Sequence, residues 1–285
     1  MLASLWHLLR DSALAFIEDD ALSRGAAISF YTVTSLGPVL FIVVAIGGLA
    51  FGEEAARGAV TAQLTGLIGK ESAALVQAAL QGASSRTESI VASIVGAVTL
   101  LVTASGVFGE MQAALNVVWR TEPRAITVSR LVRARIVSLG LVAALGFLLL
   151  VSLVISAALA VIGAWVNARL AFGTLMLGAL NAVVSYLLIA VLFAAIYKVL
   201  PDTRLAWRDV VVGALLTALL FNIGKALIAL YLARSAIASS YGAAGALIIL
   251  LLWIYYSAQI FLFGAELTKV YAAWRGTRAA RRALA

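Results

Sequence analysis

The polar residues that could bind a substrate lie inside long apolar stretches, where desolvation makes them costly. Lys225 is the clearest of them, because it falls roughly 10 Å below the outer end of its stretch at 1.5 Å per residue. Asn222 lies on the same helical face, and Asn181, Ser185 and Ser156 reach similar depths in neighbouring stretches. This arrangement predicts a water-filled cavity or an anionic-headgroup site centred on Lys225. The alternative is that Lys225 extends to the interface while the Asn and Ser side chains join helices.

Two acidic residues are expected to have a structural role near the inner ends of their stretches. Glu266 and Glu110 lie at similar depths, and each could pair with a nearby base, namely Arg204, Arg208 or Lys269. A structural ion pair at the interface accounts for them more simply than a functional site does. It predicts that Glu266→Gln loosens the fold, because the remaining partner loses its counter-charge.

No group of residues in the chain matches a known catalytic arrangement. The chain has a single histidine, His7, and no cysteine, which excludes a thiol nucleophile and a Cys-ligated zinc site. Metalloprotease, P-loop, nucleophile-elbow and dinucleotide-binding motifs are all missing from the sequence. Asp19 and Asp20 precede a helix start, where capping is the expected role. We therefore predict no enzyme, no metal and no cofactor.

The elements that must position these residues are six apolar stretches long enough to cross a bilayer. The 285 residues are 64% hydrophobic and only 12% charged, which no single soluble core can absorb. The predicted fold class is therefore all-α: a polytopic membrane protein with one membrane domain over residues 1–285. The six-helix bundle covers 27–267, and the predicted spans are 27–51, 90–108, 136–166, 174–197, 210–232 and 243–267.

The basic residues indicate how the spans are oriented. Connections on one side of the membrane hold 15 Lys and Arg residues, and those on the other side hold five. The positive-inside rule places both termini in the cytoplasm, including the basic tail 268–285. The net charge of +8 is thereby explained without nucleic acid as a partner, and membrane lipids are the expected partners. An oligomer is compatible with the sequence.

Three local features refine this architecture. Residues 1–26 contain an amphipathic helix whose face includes Leu5, Leu9 and Phe16, lying either in the membrane interface or on the protein itself. The external loop 52–89 is expected to hold two short amphipathic helices separated at Gly69. Pro38 predicts a kink in the first span. Polar stripes in the first and last spans include two tyrosines, Tyr31 and Tyr255.

Short pieces spread over nearly the whole chain have an order and spacing that are more specific together than any one of them is alone. The most specific piece is the last one, where a Tyr-Gly pair precedes Leu-Trp-Ile-Tyr and then Gly-Ala-Glu. The pieces are Ser29, Phe30, Tyr31, Ser35 and Pro38; Gly106, Ala114, Leu115, Asn116 and Arg120; Tyr197, Lys198, Leu200, Pro201, Trp207, Gly213 and Ala214; and Tyr241, Gly242, Gly245, Leu252, Trp253, Ile254, Tyr255, Gly264, Ala265 and Glu266.

Together these pieces resemble the YihY/BrkB family of bacterial inner-membrane proteins. The resemblance implies six helices and a bacterial inner membrane, without an established activity. Family members have been linked to envelope integrity and virulence, and transport of lipid or a lipopolysaccharide precursor has been proposed. Some carry a ribonuclease BN label, which the residues here do not support. We therefore interpret the chain as a transporter or flippase-like protein for an amphipathic, anionic envelope molecule. The alternative is a non-transporting scaffold for envelope integrity, and a hydrolase is a distant third.

Overall fold

The fold is all-α in the part of the chain that the computed structural model describes, which confirms the predicted fold class. That part comprises residues 2–83, 106–121, 140, 144, 173–203, 205–234 and 237–276. The helices are α1 Leu2–Glu18, α2 Ala21–Phe51, α3 Glu53–Ala83, α4 106–118, α5 Gly173–Val199, α6 Trp207–Arg234 and α7 Ile237–Trp274. Most of the predicted spans 90–108 and 136–166 lies outside the described residues, and so does the predicted site residue Ser156.

Three of these helices are long and apolar enough to cross a membrane. They are Gly178–Val199 in α5, Trp207–Ile228 in α6 and Gly245–Trp274 in α7. Helix α2 makes a fourth if its two bent halves count as one span. The described residues therefore support a multi-pass membrane protein with three or four spans, and the predicted count of six is not established by them.

Helix α2 is bent at Pro38, as the sequence predicted. Its halves Ala21–Gly37 and Val39–Leu49 meet at 47°. Proline removes a backbone donor and crowds the preceding turn. In that turn the Ser35 hydroxyl donates to the Tyr31 carbonyl, which is a second common source of helix bending.

Residues 53–83 form one helix, so the prediction of two short helices separated at Gly69 was wrong. Helix α3 runs unbroken from Glu53 to Ala83. A helical glycine costs only about 1 kcal/mol relative to alanine, which packing can offset. The buried face of α3 supplies that packing against α2 and α7 through Ala56, Val60 and Val76. The tight turn before α3 is made by Gly52, whose φ of 89° suits glycine.

Helices α6 and α7 cross closely through two glycine–threonine contacts. Gly213 of α6 faces Thr268 of α7, and Gly264 of α7 faces Thr217 of α6. Each threonine hydroxyl also donates to the carbonyl of the glycine in its own helix, at 2.7 Å. The Tyr197 hydroxyl from α5 closes this junction with a 2.6 Å bond to the Phe261 carbonyl. Small residues at both helix surfaces permit this approach, as is common between membrane helices.

Helix α1 packs against α7. Packing on the protein itself is one of the two positions that the sequence left open for α1, and the membrane interface is the other. The buried Leu8 of α1 joins a small cluster with Leu267 and Val270 of α7. The opposite edge of α1 stays open, with Trp6 66% and Ile17 70% exposed. That edge is where the predicted interfacial contact would lie.

Candidate functional site

A buried triad of charged residues connects the α1–α2 turn to α7. The Lys269 ammonium lies 2.8 Å from an Asp19 carboxylate oxygen and 2.6 Å from a Glu266 carboxylate oxygen. The side chains of Glu266, Lys269 and Asp19 are 0%, 2% and 11% exposed. Lys269 is one of the three bases that the sequence offered as a partner for Glu266. Since the triad joins residues 250 positions apart, it fixes α1 against the bundle.

Asp19 was the unexpected member of the triad, because local pattern predicted only a capping role. Asp20 does occupy the N-cap position of α2, yet its side chain makes no cap hydrogen bond. Instead the Asp20 carboxylate accepts a bond from Ser23 at 2.9 Å. The left-handed backbone at Asp20, with φ 52°, turns the chain and leaves Asp19 facing α7. The capping expectation was therefore wrong for both residues.

Lys225 lies in a shallow groove between α6 and α7. It is exposed, and it borders an open surface depression whose other lining residues are Phe221, Ile228, Trp253, Tyr256 and Ser257. The position is three residues from the end of the span Trp207–Ile228. The sequence identified Lys225 as the costly residue but missed Trp253 and Ser257 as its neighbours, because they belong to the next helix.

The groove is set by a close contact at Gly224. A Cβ added there would lie 2.6 Å from Cζ of Tyr256, so the tyrosine ring crosses the α6 backbone directly beside Lys225. Phe221 and Trp253 meet edge to face at 6.0 Å and form one wall. Aromatic walls around an ammonium favour a ligand that has both a charged and an apolar part.

The other predicted binding residues do not gather around Lys225 in the described part of the groove. Asn222 is half-buried, and its amide donates to the Ala218 carbonyl of its own helix at 2.8 Å. Asn181 and Ser185 are half-buried on α5, which contributes no lining residue to the depression. The predicted cavity also includes Ser156, which lies outside the described residues, so it stays a prediction; the described lining residues come from α6 and α7.

The remaining predicted polar residues lie in three different places. Tyr31 is exposed on α2, with its ring against Gly106 at the start of α4. Glu110 is half-buried on α4, and Tyr255 is half-buried on α7. These residues do not form a common cluster with either the triad or the groove.

A second polar contact, which sequence reasoning missed, connects α4 to the turn between α5 and α6. The Asn116 amide donates to the Asp202 carboxylate at 2.8 Å, and the Asp202 backbone N–H donates back to the Asn116 side chain at 2.9 Å. Nothing in the sequence pattern pairs these two regions, because the contacting residues lie 86 positions apart.

Metal chemistry has no support among the residues that the structure describes. No group of three or more His, Asp and Glu side chains there could hold a metal ion. The triad contains only two acids, and its ammonium occupies the space between them.

The long apolar helices and the polar groups between them define an all-helical, multi-pass membrane protein. The family model for the virulence factor BrkB matches residues 13–284, and the chain belongs to that family. The resemblance read from the sequence is thereby confirmed.

Several membrane proteins designated UPF0761 are similar to this chain. One from Ralstonia nicotianae is 32% identical over 263 residues, covering 91% of this chain and 57% of that protein. One from Rhodospirillum centenum is 27% identical over 274 residues, covering 94% and 58%. One from Yersinia pestis is 32% identical over 188 residues, covering 65% and 61%. The chain therefore spans about three-fifths of the length of these curated relatives, and no solved structure matches it.

Proposed function

We propose that this protein binds the anionic headgroup of an amphipathic envelope molecule at the Lys225 groove, and moves it as a transporter or flippase-like protein. The observation that carries the proposal is an exposed ammonium beside aromatic side chains on two membrane-crossing helices. A lysine within a span is expensive unless it faces water, a counter-ion or a ligand. A phosphate-bearing headgroup supplies the counter-ion, and lipid is the partner we infer.

The shallowness of the groove supports contact with a headgroup rather than enclosure of a whole molecule. The depression is open to the surface and encloses no cavity. An open groove on the surface of α6 and α7 would leave the acyl chains in the bilayer. Exposed apolar residues on the same helix, including Ile223 and Leu227, are suited to contact them.

The alternative function, a membrane scaffold for envelope integrity, is favoured by a different observation. The tight Gly213–Thr268 and Gly264–Thr217 crossing makes α6 and α7 a rigid pair, and Asn222 bonds its own backbone. A scaffold needs rigidity, whereas transport needs at least one contact that opens. The two functions differ in whether lipid moves.

The test uses purified protein reconstituted into vesicles that contain fluorescent phosphatidylglycerol or, as a neutral-headgroup control, phosphatidylcholine. We expect the native protein to bind and translocate the anionic lipid, and Lys225→Met to lose both. Lys225→Arg should keep part of the activity, because the charge stays while its geometry changes. Both variants should unfold at the native temperature, since Lys225 is exposed.

Three results would separate the possibilities. Translocation that persists in a fully folded Lys225→Met variant contradicts the groove as the site. Lys225-dependent binding without translocation by the native protein favours the scaffold. If phosphatidylcholine is bound and translocated as well as phosphatidylglycerol, the protein does not recognise an anionic headgroup.

We also propose a bacterial inner-membrane location with cytoplasmic termini, based on the 15-to-5 distribution of basic residues. The absence of native cysteine makes labelling unambiguous. A cysteine at Arg278 should resist an impermeant thiol reagent in intact cells and react after permeabilisation. Labelling in intact cells would refute this orientation.

A further inference from the structure

The buried triad contains one more acidic group than basic groups. Asp19 and Glu266 are two carboxyl groups, and Lys269 supplies one ammonium between them. A net charge is costly at positions this buried, and more so within a membrane-crossing helix. The triad therefore requires one further positive charge.

The described cations on the helices that contact α7 do not supply it. Arg24 of α2 directs its guanidinium to the Asp19 backbone carbonyl at 3.0 Å, and Arg57 of α3 pairs with Glu53. Arg10 of α1 and both Arg208 and Lys225 of α6 are exposed, and the buried Asp209 of α6 is itself an acid. None of these six residues forms an ion pair with the triad.

A carboxylate oxygen of Glu266 indicates where the further positive charge would be located. Oε1 of Glu266 is fully buried and has no hydrogen-bond partner among the residues described. The Asp19 and Glu266 carboxyl groups lie against the same ammonium, 2.8 Å and 2.6 Å from Lys269 Nζ. Two carboxyl groups and one ammonium are electrically neutral as a group only when one of the carboxyl groups carries a proton.

We propose that the triad is a proton-binding site, in which Asp19 and Glu266 share one proton and Lys269 balances the remaining carboxylate. Uptake neutralises the triad, and release leaves a buried negative charge where the α1–α2 turn meets α7. Proton release therefore weakens the attachment of α1 to the bundle. The proton site consists of only these three residues and does not depend on lipid binding at Lys225.

Infrared spectroscopy of the full-length protein in detergent tests the site directly. At neutral pH we expect the carbonyl stretch of a protonated carboxylic acid, which should disappear reversibly as the pH is raised. Glu266→Gln should remove this band, because Asp19 and Lys269 then balance each other. Asp19→Asn should also remove it, because Glu266 and Lys269 balance in the same way. Glu18→Gln, at an exposed neighbouring position, should keep the band.

The thermal unfolding temperature gives an independent readout. The unfolded chain releases this proton once the pH exceeds the usual pKa of a carboxyl group, so stability should fall from that pH upward until the folded protein also releases it. Glu266→Gln and Asp19→Asn should each abolish that fall, and either variant suffices if the other does not fold. A native protein without the acid band, or a band that survives in one of the two variants, overturns the proposal. A native protein without the band but stabilised by added Na⁺ would instead indicate a metal cation.

Discussion

Replacing Lys269 with methionine is expected to destabilise the protein by about 3 kcal/mol or more, the range seen when one partner of a buried ion pair is removed. The variant leaves Asp19 and Glu266 facing each other without an ammonium between them. With one proton shared between them, one carboxylate charge remains without a counter-ion, and it cannot be solvated because Glu266 is completely buried. Thermal unfolding in detergent, followed by loss of helical circular dichroism, measures the effect.

Two other charge removals serve as comparisons for Lys269→Met. Glu266→Gln should cost much less, because Lys269 keeps its 2.8 Å contact with Asp19. This revises the sequence-based expectation, which considered Glu266 and one base alone. Like Lys269→Met, Lys225→Met replaces a lysine ammonium with a methionine side chain. Because Lys225 is exposed, this variant should leave the unfolding temperature unchanged. An unfolding temperature for Lys269→Met equal to that of Lys225→Met would contradict a structural role for the triad.

The long helices could be predicted from the sequence because the bilayer imposes their length and composition. The predicted stretches 174–197, 210–232 and 243–267 fall within α5, α6 and α7. The helix α3 was harder to predict, because its residues are less apolar and contain Gly69. The break predicted at Gly69 rested on the local sequence alone. It was wrong because the packing of α3 against α2 and α7 outweighs the cost of a helical glycine, which is about 1 kcal/mol relative to alanine.

In the candidate sites, too, the sequence predicted what depends on one segment and missed what depends on contacts between distant segments. Lys225 could be identified because a charge within an apolar stretch is visible in the sequence. Its neighbours Trp253 and Tyr256 could not, because they depend on how α7 crosses α6 at Gly224. Asp19 was assigned to a helix cap by its local sequence, whereas its partner lies 250 residues away.

Gly264→Ala is expected to destabilise the α6–α7 crossing by about 1–3 kcal/mol, the usual cost of overpacking a core. The added methyl group would lie 2.8 Å from Thr217 Cβ and 2.5 Å from the Tyr197 hydroxyl. Neither neighbour can move freely, since Thr217 bonds to the Gly213 carbonyl and Tyr197 bonds to the Phe261 carbonyl. The helices would therefore have to separate, which outweighs the gain of about 1 kcal/mol in helix propensity.

Matched glycines distinguish this steric effect from a general effect of alanine on helices. Gly213→Ala should behave like Gly264→Ala, because its methyl group would lie 2.8 Å from Thr268 Cβ. Gly178→Ala, on α5 with nothing within 4 Å, should leave the unfolding temperature unchanged or raise it. Combining Gly213→Ala with Thr268→Ala removes the threonine hydroxyl and should recover part of the loss. If Gly264→Ala and Gly178→Ala unfold at the same temperature in detergent, the close crossing does not limit the stability of the bundle.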